Sequence, residues 1–213
     1  MTSGDLYILG ASGHAFDVAD VAAACGYRAI FVTHRQDEIE GWHHQDPILD
    51  EATALAHERA CFAIGIGDNR ARAGLAKRIG EGRRFPSLIH PDTSFGRGTR
   101  AAVEAARGSV VMAGARFTGG IAVGDFVTIN LGATVSHDVE LGDYANLSPG
   151  AHIAGNVRVG EGAWLGIGVA VNQGRPDAKL SIGAWTTIGS GAVVTRDCDA
   201  NSLYVGVPAR KMP

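Results

Sequence analysis

Apolar residues recur at every sixth position through the middle of the chain, over residues 111–171. The series is Val111, Phe117, Val123, Ile129, Val135, Leu141, Leu147, Ile153, Val159, Leu165 and Val171. A period of six matches neither the period of an α-helix nor the alternation of an ordinary strand. It is typical of a β-solenoid, in which each hexapeptide forms one face of a triangular coil and its apolar residue points inward. We therefore predict coils of roughly 18 residues, stacked about 4.8 Å apart.

The register of this repeat changes after Val171. The next residues predicted to point inward are Ile182, Ile188 and Val194, so one interval is longer than six residues. The stretch 173–179 reads QGRPDAK, and its proline and charged residues favour a loop. We expect this loop to leave the coil.

The first part of the chain has a different pattern, in which short apolar runs alternate with helical stretches. Strands are predicted at 6–9, 28–32, 61–66 and 87–89, and helices at 15–25, 50–57 and 70–79. This alternation is typical of a small parallel sheet covered by helices, as in a Rossmann-like βαβ unit. Residues 36–45 are polar and carry no clear signal, and residues 92–110 form a transition. The pattern divides the chain into a Rossmann-like domain, 1–92, and a solenoid domain, 93–213.

Two glycine-containing turns follow predicted strands of the first domain. The motif GASGH contains Gly10, Ser12, Gly13 and His14, and the turn GIGDN follows the third strand. Backbone N–H groups at a helix start behind glycines bind phosphate. Both turns are expected at the carboxyl edge of the sheet, where open α/β sheets bind ligands. Taken alone, GASGH fits a plain tight turn equally well, because the full GxGxxG spacing is missing.

His137 is the candidate for acid–base chemistry. It follows Val135 and Ser136 at a predicted corner of the coil, so its side chain should project outward. Histidine titrates near neutrality, and Asp138 is placed to orient the imidazole. A solvated corner histidine is the competing interpretation. The sequence has no metal-ligand spacing, no GxSxG motif and no cysteine beside a base, so neither a metal site nor a covalent nucleophile is expected.

Composition and charge narrow the class of protein. The chain has 213 residues and a formal net charge of -3, which gives no bulk attraction to nucleic acid or to an anionic membrane. Cys25, Cys61 and Cys198 form no CxxC and cannot pair completely, which favours a reducing compartment. No apolar run is long enough for a membrane span, and no signal peptide is evident. We expect a cytoplasmic enzyme.

Several motifs together resemble one enzyme family. They are GASGH, AIGIGDNRAR, LIHP, GATVSHDVELGDYANLSPGAHIAGNVRVGEGAWLGIG and the terminal YVGVPARKMP, and they span nearly the whole chain. The chain resembles the NeuD/PglD-type sugar acetyltransferases, which are hexapeptide-repeat acyltransferases. The resemblance implies a Rossmann-like domain for a nucleotide-linked sugar, followed by a left-handed parallel β-helix. It also implies a homotrimer that binds acetyl-CoA between adjacent β-helices and needs no metal.

The resemblance also implies roles for individual positions. The catalytic base corresponds to His137 and its acidic partner to Asp138. The oxyanion and acetyl-CoA positions correspond to Gly155, Asn146 and Gly166, with Asn146 standing where some relatives carry a second histidine. The substrate positions correspond to Gly10, Ser12, Gly13, His14, Thr33, His34, Arg35, Gly67, Asn69 and Asn130. After the second strand, Thr33, His34 and Arg35 replace an Asp pair common in relatives, so the nucleotide stays open among UDP, GDP and dTDP.

The function implied is acetyl-CoA-dependent N-acetylation of the 4-amino group of a nucleotide-linked 4-amino-4,6-dideoxy sugar. The amine would attack the thioester directly, with His137 as general base, in the synthesis of a surface glycan or glycoprotein, such as lipopolysaccharide or O-antigen. Two alternatives stay open. One is O-acetylation of a sialic acid or a related sugar, and the other is a non-catalytic nucleotide-sugar-binding protein on the same fold. The N-terminal nucleotide unit favours the amine acceptor.

Overall fold

The structure is a computed structural model that describes residues 4–213. In its first part, strands and helices alternate: β1 (Asp5–Leu9), α1 (Gly13–Ala24), β2 (Arg28–Thr33), α2 (Gln36–Glu40), β3 (Ile48–Asp50), α3 (Glu51–Leu55), β4 (Cys61–Ile64) and α4 (Asn69–Ile79). The strands are parallel and lie in the order β3-β2-β1-β4. This confirms the predicted parallel βαβ sheet and its first three strands.

The spacing of apolar residues explains why the chain is helical after β1. Ala15, Val18, Ala19 and Ala22 are three or four residues apart, so they share one face of α1, and all four are buried in the cluster that includes β1 and β2. Gly26 follows the helix with φ of 84°, a conformation that glycine adopts without strain. The predicted helix at this position is therefore confirmed.

The predicted strand at 87–89 exists, but it belongs to a different sheet. β5 (Leu88–Ile89) pairs with β6 (Val110–Val111), where the solenoid begins, and not with the N-terminal sheet. The chain meets β4 at an isolated bridge between Cys61 and Arg84. Pro86 follows, and it has no N–H with which to continue that ladder. The fourth strand of the N-terminal sheet is instead β3, which the apolar pattern did not indicate.

From β5 onward, short strands wind into three stacked sheets. Their bounds are β7 (Arg116–Phe117), β8 (Ala122–Val123), β9 (Thr128–Ile129), β10 (Thr134–Val135), β11 (Glu140–Leu141), β12 (Asn146–Leu147), β13 (His152–Ile153), β14 (Val157–Val159), β15 (Trp164–Leu165), β16 (Ala170–Val171), β17 (Leu180–Ile182), β18 (Thr187–Ile188), β19 (Val193–Val194), β20 (Leu203–Val205) and β21 (Arg210–Lys211). The sheet orders are β5-β6-β9-β12-β15-β18-β20-β21, β7-β10-β13-β16-β19 and β8-β11-β14-β17. The pairing is parallel up to β20, which pairs antiparallel with β21. The architecture is that of a parallel β-helix.

The register of these sheets confirms the predicted coil. Val135 in β10 pairs with Ile153 in β13, 18 residues later, and the equivalent pairs in the other sheets have the same separation. Every residue of the predicted inward series is buried except Val123, which is half-buried near the first coil. Burial of an aliphatic side chain of this size contributes about 1.5–3 kcal/mol. The column of apolar residues is therefore the core that holds the coils together.

The core departs from the regular repeat near each of its two ends. In the transition segment, α5 (Thr99–Ala105) contributes the buried side chain of Val103 to the start of the core. Near the other end, Ile182 pairs with Val159, which lies 23 rather than 18 positions earlier, so this coil contains five additional residues. The additional residues lie within the loop at 173–179, which was predicted to leave the coil. None of the helices within residues 4–213 is long and apolar enough to cross a membrane.

Candidate active site

Residues 136–138 form the corner that joins β10 to β11. Asp138 has φ of 58°, in the left-handed region that aspartate tolerates, and its N–H donates to the carbonyl of Gly119 in the preceding coil at 3.2 Å. The carbonyl of His137 accepts from the N–H of Asn156 in the following coil at 3.0 Å. Both neighbouring coils therefore hold the corner, and the His137 side chain projects outward, half exposed.

The imidazole of His137 is oriented by the next residue. Its Nδ1 lies 2.8 Å from Oδ2 of Asp138. An ionised carboxylate only accepts hydrogen bonds, so Nδ1 must carry the proton and Nε2 of the neutral ring is left with its lone pair. This is the arrangement of a general base with an orienting acid.

Gly155 stands against this ring from the following coil. A Cβ at this position would overlap the imidazole, including Nε2, so any larger residue would displace the His137 ring from this position. The carbonyl of Gly155 accepts from the N–H of Gly174 at 3.0 Å, whereas the N–H of Gly155 has no acceptor within residues 4–213. A candidate base, Nε2 of His137, and an unused hydrogen-bond donor, the N–H of Gly155, therefore belong to two residues in contact.

A charged cluster beside the corner holds it to the loop 173–179. Lys179 Nζ donates to the carbonyl of Asp138 and to Oε1 of Glu140, both at 2.7 Å, and Arg158 Nε donates to Oε2 of Glu140 at 2.6 Å. The hydrogen bonds from Arg158 and then Lys179 lower the pKa of Glu140 to about 2. Lys179 thus links the loop directly to the residue that orients His137.

The other predicted acetyl-CoA and substrate positions of the solenoid lie on a different side of the triangle. Asn146 is in β12, paired with Trp164 in β15, and Asn130 and Gly166 directly follow β9 and β15 of the same sheet. The corner at His137 joins the two other sheets. Within one chain, the structure therefore brings His137, Asp138 and Gly155 together but not Asn130, Asn146 or Gly166.

The N-terminal domain has a cavity of about 540 Å³ at the carboxyl edge of its sheet. Its lining includes all but two of the predicted substrate residues, namely Gly10, Ser12, Gly13, His14, Thr33, His34, Arg35 and Gly67. They come from the ends of β1, β2 and β4, which lie side by side in the sheet. The expectation that the two glycine turns share one edge is confirmed.

Glycine at position 10 is required by the way the two turns pack. Gly10 has φ of 130°, and a Cβ there would lie 2.8 Å from the carbonyl oxygen of Gly65. The close backbone approach brings the β1 and β4 turns together around the start of α1. Ser12 caps that helix without a side-chain cap bond, and its first turn contains no acidic residue. The helix start is thus suited to a phosphate.

His14 lies beside this helix start with an unused buried nitrogen. Its Nε2 has no hydrogen-bond partner within the described residues, while Nδ1 is 3.7 Å from Oδ2 of Asp17. Burial, followed by the charge of Arg72, lowers the pKa of His14, and Asp17 only partly opposes this. The ring is therefore neutral at neutral pH.

Sequence reasoning missed three charged residues that line the cavity. Glu38 comes from α2, in the segment that carried no clear signal, and Thr33 Oγ1 donates to its Oε2 at 2.6 Å. Glu51 and Arg78 also line the cavity and form a two-bond ion pair at 2.5 and 2.7 Å. The acidic stretch QDEIE after the second strand was the signal that could have indicated Glu38.

Asn69 does not line the cavity and has a different partner from the one expected. Its Nδ2 donates to the carbonyls of Gly162 and Ala163 in the solenoid at 3.0 and 3.2 Å, and its Oδ1 accepts from Arg72 at 2.8 Å. The side chain is buried between the two parts of the chain. The turn motif could not reveal this, because the acceptors lie more than 90 residues away.

The lining of the cavity contains no residue of the His137 corner, because every residue that lines it precedes position 79. Among the described residues, no three His, Cys, Asp or Glu side chains converge as a metal-binding group. The chain thus combines a parallel β-helix that carries a carboxylate-paired histidine with an α/β sheet that carries a glycine-lined cavity, which is the class of β-helix protein with a candidate acid–base site.

Comparison with known proteins specifies the family. The PglD N-terminal domain model matches residues 5–79. The acetyltransferase domain of PglB from Neisseria gonorrhoeae, solved with acetyl coenzyme A, is 31% identical over 99% of this chain and 100% of that chain, with a TM-score of 0.83. PerB from Caulobacter crescentus, solved with CoA and GDP-perosamine, is 32% identical over 99% and 98%, with a TM-score of 0.83. WeeI from Acinetobacter baumannii is 25% identical over 99% and 100%, with a TM-score of 0.81.

The chain belongs to the NeuD/PglD-type family of sugar acetyltransferases. The resemblance seen in the sequence motifs is confirmed.

Proposed function

We propose that this protein transfers the acetyl group of acetyl-CoA to the 4-amino group of a nucleotide-linked 4-amino-4,6-dideoxy sugar. The corner at His137 carries the proposal, because it pairs a free Nε2 with the unused N–H of Gly155. Acyl transfer from a thioester to an amine uses these two groups, a base and an oxyanion donor. Acetyl-CoA as donor is supported by PglB and PerB, which were solved with acetyl-CoA and CoA.

In the proposed reaction, the neutral amine attacks the thioester carbon and the Gly155 N–H donates to the carbonyl oxygen as negative charge develops. One such donor typically lowers the barrier by about 3 kcal/mol. Nε2 of His137 accepts the proton that the amine nitrogen loses, typically worth about 10²–10⁴-fold in rate. The C–S bond then breaks, and the CoA thiolate takes up the proton that Nε2 of His137 accepted, which restores the neutral base. The products are the N-acetylated sugar nucleotide and CoA.

The sugar nucleotide would bind to residues 1–92, and residues 93–213, as a left-handed β-helix, would transfer the acetyl group. We propose a homotrimer, in which the cavity of one chain serves the His137 corner of its neighbour. The cavity lining of one chain contains no residue of its own His137 corner, which supports this arrangement. So do Leu131 and Ile167, which lie two coils apart at one corner with 52% and 59% of their surface exposed. The product would serve surface-glycan synthesis, such as that of lipopolysaccharide or O-antigen.

The test is release of CoA with matched acceptors. UDP-, GDP- and dTDP-linked 4-amino-4,6-dideoxy sugars are compared with the same compounds that carry a 4-hydroxyl group, and with sialic acid. We expect turnover with an amine acceptor, at least about tenfold faster than with its hydroxyl counterpart. If a hydroxyl acceptor reacts faster than its amine counterpart, the proposed activity changes from N-acetylation to O-acetylation. If no acceptor causes release of CoA while nucleotides still bind, the enzymatic proposal is refuted and the protein is a nucleotide-binding protein.

A further inference from the structure

We infer that Glu38 recognises the 2′-hydroxyl of the nucleotide ribose, so that the substrate is a UDP- or GDP-linked sugar and not a dTDP-linked one. The inference rests on the proposed function, since it names the nucleotide class that the cavity would take. It concerns a residue outside the sequence motifs, carried by α2.

Glu38 is held at the end of β2 by a buried threonine. Thr33, the last residue of that strand, is 6% exposed. Its Oγ1 donates to Oε2 of Glu38 at 2.6 Å and accepts from the N–H of Arg35 at 3.1 Å. Both Thr33 and Glu38 line the cavity. The carboxylate of Glu38, which belongs to the short helix α2, therefore lies at the end of β2.

In a Rossmann-like unit, the ribose of the nucleotide is bound at the end of the second strand. In such units the diphosphate lies at the N-terminus of the first helix, and an acidic residue about 20 residues further on accepts a hydrogen bond from the 2′-hydroxyl. Here the first helix starts at Gly13, and Thr33 stands 20 positions later, at the end of β2. Thr33 is not acidic itself. The carboxylate at the end of β2 is therefore supplied by Glu38, which accepts a hydrogen bond from Thr33.

Glu38 is also the carboxylate in the cavity with the most acceptor capacity left. Glu51 is engaged by two short hydrogen bonds from Arg78. Arg35 forms its short ion pair with Asp37, at 2.5 Å, and a longer one, at 3.4 Å, with Oε1 of Glu38. A carboxylate accepts about four hydrogen bonds, so the single short bond from Thr33 leaves room for a ribose hydroxyl.

The experiment isolates the 2′-hydroxyl by pairing nucleotides that differ in nothing else. Calorimetry measures Kd for GDP against 2′-deoxy-GDP and for UDP against 2′-deoxy-UDP. A hydrogen bond to a charged group predicts that the full protein binds the ribo form about 10- to 100-fold more tightly in whichever pair it binds. Glu38→Gln keeps the shape but weakens the acceptor, and it should reduce that ratio to a few-fold.

Controls separate recognition from folding. Thr33→Val removes the hydroxyl that holds Glu38 and should also reduce the ratio, whereas Thr33→Ser should keep it. Glu40→Gln alters a carboxylate of the same helix that lies outside the cavity lining and should keep the wild-type ratio. Melting temperatures check that each variant is folded.

The outcomes are distinct. Equal affinity of wild-type protein for ribo and deoxy forms would overturn the inference while leaving the cavity as a nucleotide site. A ratio that Glu38→Gln leaves unchanged would assign ribose recognition to another residue. If no nucleotide binds, both the inference and the proposed cavity function fail. Acetyl transfer is measured separately, so loss of turnover alone counts only against the proposed reaction.

Discussion

At the scale of single residues, His137 and Lys179 define the chemistry of the corner. Asp138 accepts from Nδ1 of His137, Gly155 makes space for the ring, and Lys179 holds the carbonyl of Asp138. The arrangement separates the group that accepts a proton from the groups that position it.

His137→Asn should lower turnover about 10²–10⁴-fold, because asparagine keeps a hydrogen bond but cannot accept a proton near neutral pH. The side chain is outside the packed core, so no cavity is created and both substrates should still bind. Steady-state CoA release measures the loss, and calorimetry with each substrate checks binding. His57→Asn, at a histidine stacked on Tyr7 away from both sites, is the control and should keep full turnover. Retention of more than about a tenth of turnover by His137→Asn would exclude it as the base.

Lys179→Met should lower kcat by about three- to tenfold with little change in KM, because it releases a neutral carbonyl bond that positions Asp138. Arg175→Met is the matched control in the same loop, since Arg175 contacts Asp177 at an exposed site and should leave kcat unchanged. The melting temperature should hardly move in Arg175→Met, because its ion pair with Asp177 is exposed. It should fall by a few degrees in Lys179→Met, whose ion pair with Glu140 is partly buried.

Glu140, which also accepts a hydrogen bond from Lys179, sets how the kcat loss in Lys179→Met depends on pH. Its pKa of about 2 lies below the ordinary value, so the contribution of its ion pairs is complete above the ordinary value and is lost only as pH falls toward 2. The ratio of wild-type to Lys179→Met kcat should therefore stay constant through the neutral range. A ratio that varies there would mean that the loss of Lys179 also changes the titration of a group other than Glu140.

At the scale of elements, α4 joins the cavity to the β-helix through Arg72. This side chain is 2% exposed, and none of the ion pairs formed within residues 4–213 includes it. Its N–H groups donate to the carbonyls of Phe126 and Tyr144 in the solenoid, to those of Ile66 and Gly67 beside the cavity, and to Asn69. Burial lowers its pKa to about 10, so it stays charged at neutral pH.

Arg72→Met should lower the free energy of unfolding by about 3 kcal/mol or more, because it leaves several buried carbonyls unpaired. It should also raise KM for the sugar nucleotide more than KM for acetyl-CoA, since Ile66 and Gly67 line the cavity. Lys77→Met, at an exposed position of the same helix, is the control and should change neither quantity. Urea unfolding and steady-state kinetics measure the two effects. Equal changes in both KM values would show that Arg72 is only structural.

At the scale of the whole molecule, the proposed trimer predicts complementation between two inactive variants. His137→Asn lacks the base. Gly13→Asp should abolish nucleotide binding by repelling the diphosphate, and it should keep the fold because a Cβ at Gly13 meets open space and an acidic residue suits a helix start. If each site combines a cavity and a corner from different chains, co-expressed mixtures should recover up to about a quarter of wild-type turnover.

The control for complementation is the same mixture prepared from separately purified proteins and assayed before any exchange of subunits. It should show no recovery. Light scattering should give three times the chain mass of 22.1 kDa. A fully active monomer, or mixed assemblies without recovered turnover, would place the complete site within one chain.

The sequence by itself determined which residues of the solenoid point inward and where the repeat is interrupted. The six-residue period is a local property, since each apolar residue must be buried by the coil whatever its neighbours are. It also placed His137 beside Asp138 at a corner, because adjacent residues of one turn need no distant partner to meet. The helices α1, α3 and α4 and the strands β1, β2 and β4 followed from periodicity in the same way, whereas α2 and β3 did not.

Only the tertiary structure decided which partners distant segments have. β5 pairs with the solenoid because the preceding segment meets β4 only at the bridge of Arg84, which Pro86 cannot continue. Asn69 faces carbonyls in the solenoid instead of the cavity. Glu38 reaches the cavity through a bond to Thr33 that no repeat or motif encodes. The physical reason is that periodicity specifies the direction of burial, whereas hydrogen-bond and ion-pair partners depend on which segments the complete fold brings together.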